Sequence, residues 1–257
     1  DAYEIDPNNN GYKWRIDLGK NVTAGAHYTQ YMVYDFDGDG RAEIAMQTAP
    51  GTIDGQGHYV SDAGNTDKIR NVDNTKSYVG TSGGAKGKNL GPEYYTIFDG
   101  ETGAALSTVE AIPLGTSGEW GDSKYNRAER FLAGVAYIDG VHPSYIISRG
   151  YYNKVIMRAY TWDGNEFKKI REWDGSRSGT KSLYGQGCHS LSVADVDNDG
   201  KDEIIFGSAI ADDDGSVYEH PKYGHGDALH ASDYDNDGTQ EIFQVHEAGK
   251  SNKGTIP

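Results

Sequence analysis

The run DYDNDGTQEIF near the carboxyl end places three carboxylates at alternate positions, then a glycine, then a fourth carboxylate leading into apolar residues. Carboxylates this close repel one another, so a chain that keeps them needs a positive charge among them or full solvation. The order occurs three times, at offsets 1, 3, 5 and 9: Asp35, Asp37, Asp39 and Glu43; Asp195, Asp197, Asp199 and Glu203; Asp233, Asp235, Asp237 and Glu241. Gly40, Gly200 and Gly238 take offset 6, where an EF-hand loop makes its sharp turn. The carbonyl at offset 7, from Arg41, Lys201 or Thr239, then faces the ion. An EF-hand keeps its bidentate Glu at position 12, so these loops are EF-like in their first half only, and no helix need follow. One acidic Asp-Gly turn would be ordinary. Three with the same offsets predict a bound hard cation, and a cage of protein oxygens suits calcium better than magnesium.

Short apolar segments flank each loop: YMVYD and EIAMQT, HSLSVAD and DEIIFGSA, ALHASD and EIFQVHE. Each pair reads as a hairpin whose turn wraps an ion. Further strand pairs fall in YYTIFDGETGAALSTV, in RFLAGVAYIDG with SYIISRG, and in KVIMRAYTWDG with EFKKIREWD. AYIDGVHPSYII stands at a loop position but has lost the acids. No long segment has helical periodicity. Glycine, at 35 residues of 257, is about twice its usual share of roughly 7%, which predicts many tight turns.

The expected fold class is all-β, and recurrence of four-stranded units favours a β-propeller over a β-sandwich. The blades fall at about 29–109, with a Gly-, Asn- and Lys-rich insertion at 50–92, then 129–174, 189–227 and an incomplete 228–257. Residues 1–257 are thus expected to form part of one propeller. Such an arc does not close, so other sequence or another chain is expected to complete the ring.

Charge narrows the partners. The formal net charge is -15, and three divalent ions would offset six of those charges. No basic cluster appears, so neither nucleic acid nor an anionic membrane is expected as a partner. No run of eighteen apolar residues is present. Cys188 is the single cysteine, which rules out an internal disulfide and a CxxC site. The opening DAYEIDPNNNGYKW reads as mature or internal sequence, and weak calcium loops suit the millimolar calcium outside a cell.

Histidines enter the hairpins at related distances. His27 and His225 each lie eight residues before the first Asp of a loop, and His189 lies six before, all after glycine-rich chain. In a propeller such entries converge on one end of the central channel. His189 and His225 are therefore candidate cleft residues, against the alternative of packing or of orienting a calcium carboxylate. His230 is expected to point to the opposite face. Arg149, followed by Tyr151 and Tyr152, suits a uronate carboxylate and a sugar face, or else a blade-edge salt bridge with tyrosine packing. Asn126, Arg127 and Arg130 suggest a loop clamp. No nucleophile elbow, phosphate loop or dinucleotide fingerprint occurs.

Taken together, AGAHYTQYMVYDFDGDGRAEIAMQT, GPEYYTIFDGETGAAL, EWGDSKYNRAERFLAGVAYIDG, RGYYNKV, GQGCHSLSVADVDNDGKDEIIFGSA and GHGDALHASDYDNDGTQEIFQVHE resemble the rhamnogalacturonan lyases of polysaccharide lyase family eleven. The resemblance implies a secreted, extracellular bacterial enzyme with an eight-bladed propeller and three or more calcium ions. It implies pectin degradation: cleavage of the rhamnose–galacturonic acid backbone of rhamnogalacturonan I by β-elimination, leaving an unsaturated uronate. By motif, the catalytic positions carry over to His189 and His225. Arg149, Tyr151, Tyr152, His27 and Arg127 are the expected substrate contacts. The family enzymes are more than twice this length, and Asn is expected where Cys188 stands. The alternative is a noncatalytic, calcium-stabilised propeller that binds carbohydrate or protein.

Overall fold

Strand-forming segments separated by Gly and Asp turns fold, in the computed structural model, into an all-β chain. The structure describes residues 1–8, 11–23, 25 and 27–246. The first strands are β1 (Ala2–Asp6), β2 (Gly11–Ile16), β3 (Tyr31–Tyr34), β4 (Glu43–Thr48), β5 (Tyr94–Asp99) and β6 (Ala105–Glu110). They are followed by β7 (Phe131–Ala136), β8 (Ser144–Arg149), β9 (Val155–Trp162) and β10 (Phe167–Gly175). The last are β11 (Ser192–Ala194), β12 (Glu203–Phe206), β13 (Ala209–Ala211), β14 (Gly226–Ser232) and β15 (Glu241–His246). Two sheets are four-stranded meanders, β3-β4-β5-β6 and β7-β8-β9-β10, and β11-β12-β13 is three-stranded. β1-β2 and β14-β15 are hairpins.

The chain divides into two compact units, one of Asp1–Gly115 with Trp162–Lys168, the other of Thr116–Thr161 with the chain from Lys169 onward. In the first, Trp14, Ile16, Ile44, Met46, Val60 and Phe98 form the apolar core. Every residue of β4 is buried, as expected of an inner strand covered on both faces. Its polar members are largely paired, although Gln47 Oε1 takes no hydrogen bond among the described residues. Gln47 Nε2 donates to Glu93 Oε1 at 2.9 Å. A hydroxyl chain runs from Thr48 through Thr96 and Thr108 to the Val60 carbonyl, with links of 2.7, 2.9 and 2.8 Å. A buried polar network stabilises only when every link is made, as here. The insertion between β4 and β5 is pinned by the buried amide of Asn21. Its Nδ2 donates to the Pro50 and Lys76 carbonyls, and its Oδ1 accepts the Tyr78 N–H at 2.8 Å.

In the second unit, Ile146, Met157, Trp173, Ile204 and Phe206 anchor the main core. A smaller cluster joins Cys188, Ile205 and Leu229. β8 is buried along its whole length, including Arg149 at its end. The β1-β2 hairpin was not anticipated from the sequence, although AYEID and GYKWRI alternate polar and apolar residues. No helix among the described residues is long and apolar enough to cross a membrane.

Candidate active site and metal centres

The three acidic runs are the turns of antiparallel hairpins β3-β4, β11-β12 and β14-β15, with Tyr34 opposite Glu43, Ala194 opposite Glu203 and Ser232 opposite Glu241. Their internal geometry repeats. The N–H at offset 5 donates to the offset-1 carboxylate at 3.1 Å in each loop. The glycine N–H at offset 6 donates to the other oxygen of that carboxylate at 2.9, 3.0 and 2.9 Å. The offset-9 glutamate accepts the N–H at offset 2 at 2.8 Å in all three. Gly40, Gly200 and Gly238 have φ of 90°, 89° and 91°, a region that glycine occupies without strain. Offset 4 is also left-handed, with Gly38 at 78°, Asn198 at 62° and Asn236 at 63°. Sequence reading overlooked this second turn position, although Gly or Asn stands there every time.

The donors fit a hard cation. Asp35, Asp37 and Asp39, or Asp195, Asp197 and Asp199, each bring oxygens within 4.8 Å of one another, and so do Asp233, Asp235 and Glu241. Glu43 and Glu203 are buried. Burial pushes their carboxyls from the usual 4.5 up to about 7; the Phe36 and Val196 N–H groups oppose this, and the neighbouring aspartates add to it. Among the described residues, Glu203 Oε1 takes no hydrogen bond, which leaves a buried oxygen directed to a positive partner. At offset 7 only the carbonyl is available: the Arg41 side chain pairs with Glu101, and the Lys201 ammonium bonds Asp199 and Asp213.

A second arrangement lies within the second unit. Gly226 N donates to Gly187 O at 3.1 Å, and His189 N donates to Asp227 O at 3.2 Å, so the two glycine–histidine segments run side by side. Glycine is required at both points. A Cβ on Gly187 would lie 2.7 Å from the Phe206 ring, and one on Gly226 would lie 2.2 Å from Val245 O. The pairing brings the His189 and His225 rings to 5.1 Å. His225 packs against Tyr152 at 4.1 Å and Tyr151 at 5.0 Å, and the two tyrosine rings lie 4.3 Å apart with their planes tilted by 42°. The Arg127 guanidinium lies 5.2 Å over the Tyr152 ring, and that of Arg130 lies 5.2 Å over Tyr151. Arg127 is held in place by Asn153 Oδ1 at 2.7 Å and the Gly121 carbonyl at 2.9 Å, and Asn153 donates to Tyr184 Oη at 2.9 Å. Tyr152 has φ of 65°, sparsely populated for a bulky side chain and a conformation that the surrounding packing must maintain. Asp227 Oδ1 stands 3.6 Å from His189 Nε2.

This constellation offers two imidazoles, the half-buried Tyr152 and a fixed guanidinium, groups able to hold an anion and move a proton, whereas Tyr151, expected to meet substrate, is buried. His189 is partly exposed, whereas His225 is half-buried on the tyrosines. Asn153, Tyr184 and Asp227 were not singled out from the sequence, because only the fold places them beside Arg127 and His189.

Arg149 requires a correction. Expected to meet a ligand, it is fully buried. Its Nε donates to the Ala128 carbonyl at 2.7 Å, its Nη2 lies 3.5 Å from Glu129 Oε1, and its guanidinium packs on Phe131 and Trp120 at 5.1 and 5.8 Å. It is the salt bridge of the alternative reading, buried at the end of β8 and not at an edge. His27 is half-buried in a turn of the first unit. His230 is exposed. Cys188 is buried, accepts a hydrogen bond from Gln244 Nε2 at 3.2 Å, and burial pushes its thiol up to about 11.

Residues 1–256 match the family described as rhamnogalacturonan lyase family 11, C-terminal domain. The chain is 49% identical over 250 residues to rhamnogalacturonan exolyase YesX of Bacillus subtilis (strain 168), covering 96% of this chain and 38% of that protein. It is 51% identical over 251 residues to rhamnogalacturonan endolyase YesW of the same organism, covering 96% of this chain and 37% of that one. Among solved structures, a Bacillus licheniformis rhamnogalacturonan lyase superimposes with a TM-score of 0.84 at 48% identity, over 95% of this chain and 40% of that one. The chain thus spans less than two fifths of the length of these curated relatives. With the all-β fold, the loops and the histidine–tyrosine cluster already in place, these matches establish that the chain belongs to rhamnogalacturonan lyase family 11.

Proposed function

We propose that this chain is part of a secreted lyase that cleaves rhamnogalacturonan I between rhamnose and galacturonic acid by β-elimination. One observation carries the reading: His189 and His225, 36 residues apart, meet on Tyr151 and Tyr152 beneath Arg127, in a chain about half identical to two rhamnogalacturonan lyases. In the elimination a base removes the C5 proton of the uronate, the C4–C5 double bond forms, and the C4 oxygen leaves with the glycosidic bond pair and takes up a proton. Charge beside an unpaired carboxylate opposes the first step, so a cation must neutralise it. Arg127 is the cation proposed for this, and Tyr152, with Tyr151 buried beside it, is the proposed sugar contact. Proton handling is assigned to the His189–His225 pair, of which His189 presents its ring to solvent.

Calcium is the cation proposed for the three acidic loops, held by Asp35, Asp37, Asp39 and Glu43, by Asp195, Asp197, Asp199 and Glu203, and by Asp233, Asp235, Asp237 and Glu241. Bound there, it neutralises carboxylates and fixes the hairpin turns. The repeated four-stranded sheets suit propeller blades, completed to eight by sequence outside these residues. The test is digestion of rhamnogalacturonan I by the intact protein, followed near 235 nm, where elimination alone yields a conjugated double bond. His189→Ala and His225→Ala should each lower turnover by about 100-fold or more while leaving melting within a few degrees. Digestion without that absorbance would replace the lyase with a hydrolase, and no digestion would leave a carbohydrate-binding module.

A further inference from the structure

The second acidic loop differs from the other two in what lies beside it. Among the described residues, the carboxylate oxygens clustered within 4.8 Å in the first and third loops all belong to the loop itself. In the second, oxygens of Asp199 and Glu203 lie within 4.8 Å of one from Asp213, in the ADDDG turn that follows β13. Asp213 is only 8% exposed, and Glu203 is fully buried with Oε1 taking no hydrogen bond. The Lys201 ammonium reaches the same place, donating to Asp199 Oδ2 and to Asp213 Oδ2 at 2.9 Å each. Three carboxylates, two of them buried, thus meet a single ammonium. Buried charge persists only when it is paired or ligated to a metal.

The geometry points to Asp213 as a ligand, supplied from outside the loop, of the cation held by Asp195, Asp197, Asp199 and Glu203. Each carboxylate has two oxygens, so Asp213 serves the ion with one and keeps Lys201 on the other. The ion then ties the β11-β12 hairpin to the turn after β13, a link for which the first and third loops have no counterpart among the described residues. Calcium affinity in oxygen cages follows the number of charged ligands, so this site is the tightest of the three. The inference rests on reading the loop as a cation site, and the test separates the two.

Calcium is titrated calorimetrically into the chelator-treated intact protein, with Asp195→Asn marking the heat that belongs to the second loop. Asp213→Asn should weaken that phase about 10-fold or more. Asp214→Asn, which removes the same charge one residue away, should leave it within about twofold. The rise in melting temperature on adding calcium should shrink for Asp213→Asn and not for Asp214→Asn. Lys201→Met should keep the calcium phase, since it removes a neighbour of the ligand and not the ligand. Equal weakening by the two aspartate variants would reduce Asp213 to a distant charge. Equal destabilisation by Asp213→Asn and Lys201→Met, with and without calcium, would make Asp213 the partner of Lys201 alone. Loss of no calcium phase in Asp195→Asn would remove the loop reading itself.

Discussion

Calcium binding to the loops should expel protons, because two of the glutamates that would hold it are buried and raised toward neutrality. Glu43 and Glu203 are buried beside aspartates, and their carboxyls are raised to about 7 when no ion is bound. Each is then ~90% protonated at pH 6 and ~10% at pH 8. An ion needs the ionised form. Saturating both loops should therefore release about 1.8 protons at pH 6 and about 0.2 at pH 8. Each site should bind about tenfold more weakly at the lower pH, equivalent to ~1.4 kcal/mol. Water on the open side of the loops screens the aspartates, so these figures are ceilings.

Calorimetry in two buffers of different ionisation heat counts the protons directly, and Glu43→Gln or Glu203→Gln should each remove about half the release at pH 6. For stability the signs reverse with calcium. Without the ion, both folded carboxyls titrate above their unfolded 4.5, so the chelated protein binds extra protons when folded and loses stability as pH rises from about 4.5 to 7. With calcium the ionised form is held, so stability is flat from about pH 7 to 4.5 and falls only below about 4.5, where the unfolded carboxylates take up protons. A calcium titration at pH 6 with no proton release would refute the reasoning, because the glutamates would then already be ionised.

Gly38→Asn should change stability by less than about 0.5 kcal/mol, since Asn198 and Asn236 occupy the same turn position, whereas Gly40→Asn at φ of 90° should cost roughly 1–2 kcal/mol; thermal melts of the two variants check this. Arg149→Met leaves Glu129 buried without its guanidinium and should destabilise by about 3–5 kcal/mol, while Arg127→Met should lower melting far less and raise KM for substrate. Melting and steady-state kinetics on both variants separate the buried arginine from the half-buried one over Tyr152. Cys188, buried and raised to about 11, should resist a thiol reagent at pH 8 in the folded protein and react once denatured.

The loops were legible because repulsion among fixed-offset carboxylates is a local property that one segment declares by itself. Their hairpin setting followed from the apolar segments on each side. Offset 4 was equally local and equally visible, and went unnoticed because only the glycine at offset 6 was compared with a known turn. Arg149 was a different kind of error. Sequence shows an Arg beside two Tyr, but whether that guanidinium faces water depends on Trp120, Phe131 and Glu129, which arrive from 18 to 29 residues away. The β1-β2 hairpin escaped because it carries no acidic loop to draw attention to its alternation.

The histidine pair shows why glycine positions outrank the histidines themselves as a signal. An imidazole is compatible with a core, a surface or a site, and its identity decides nothing. Gly187 and Gly226 are constrained by what a single Cβ would strike, the Phe206 ring on one side and the Val245 carbonyl on the other. Only with both absent can the two segments bond through Gly226 N and His189 N, and only that bonding sets the rings 5.1 Å apart. The functional geometry is thus specified by the absence of two side chains, and the strained Tyr152 persists because His225, Tyr151 and Arg127 pack around it. A substitution at either glycine would displace the histidines without touching them.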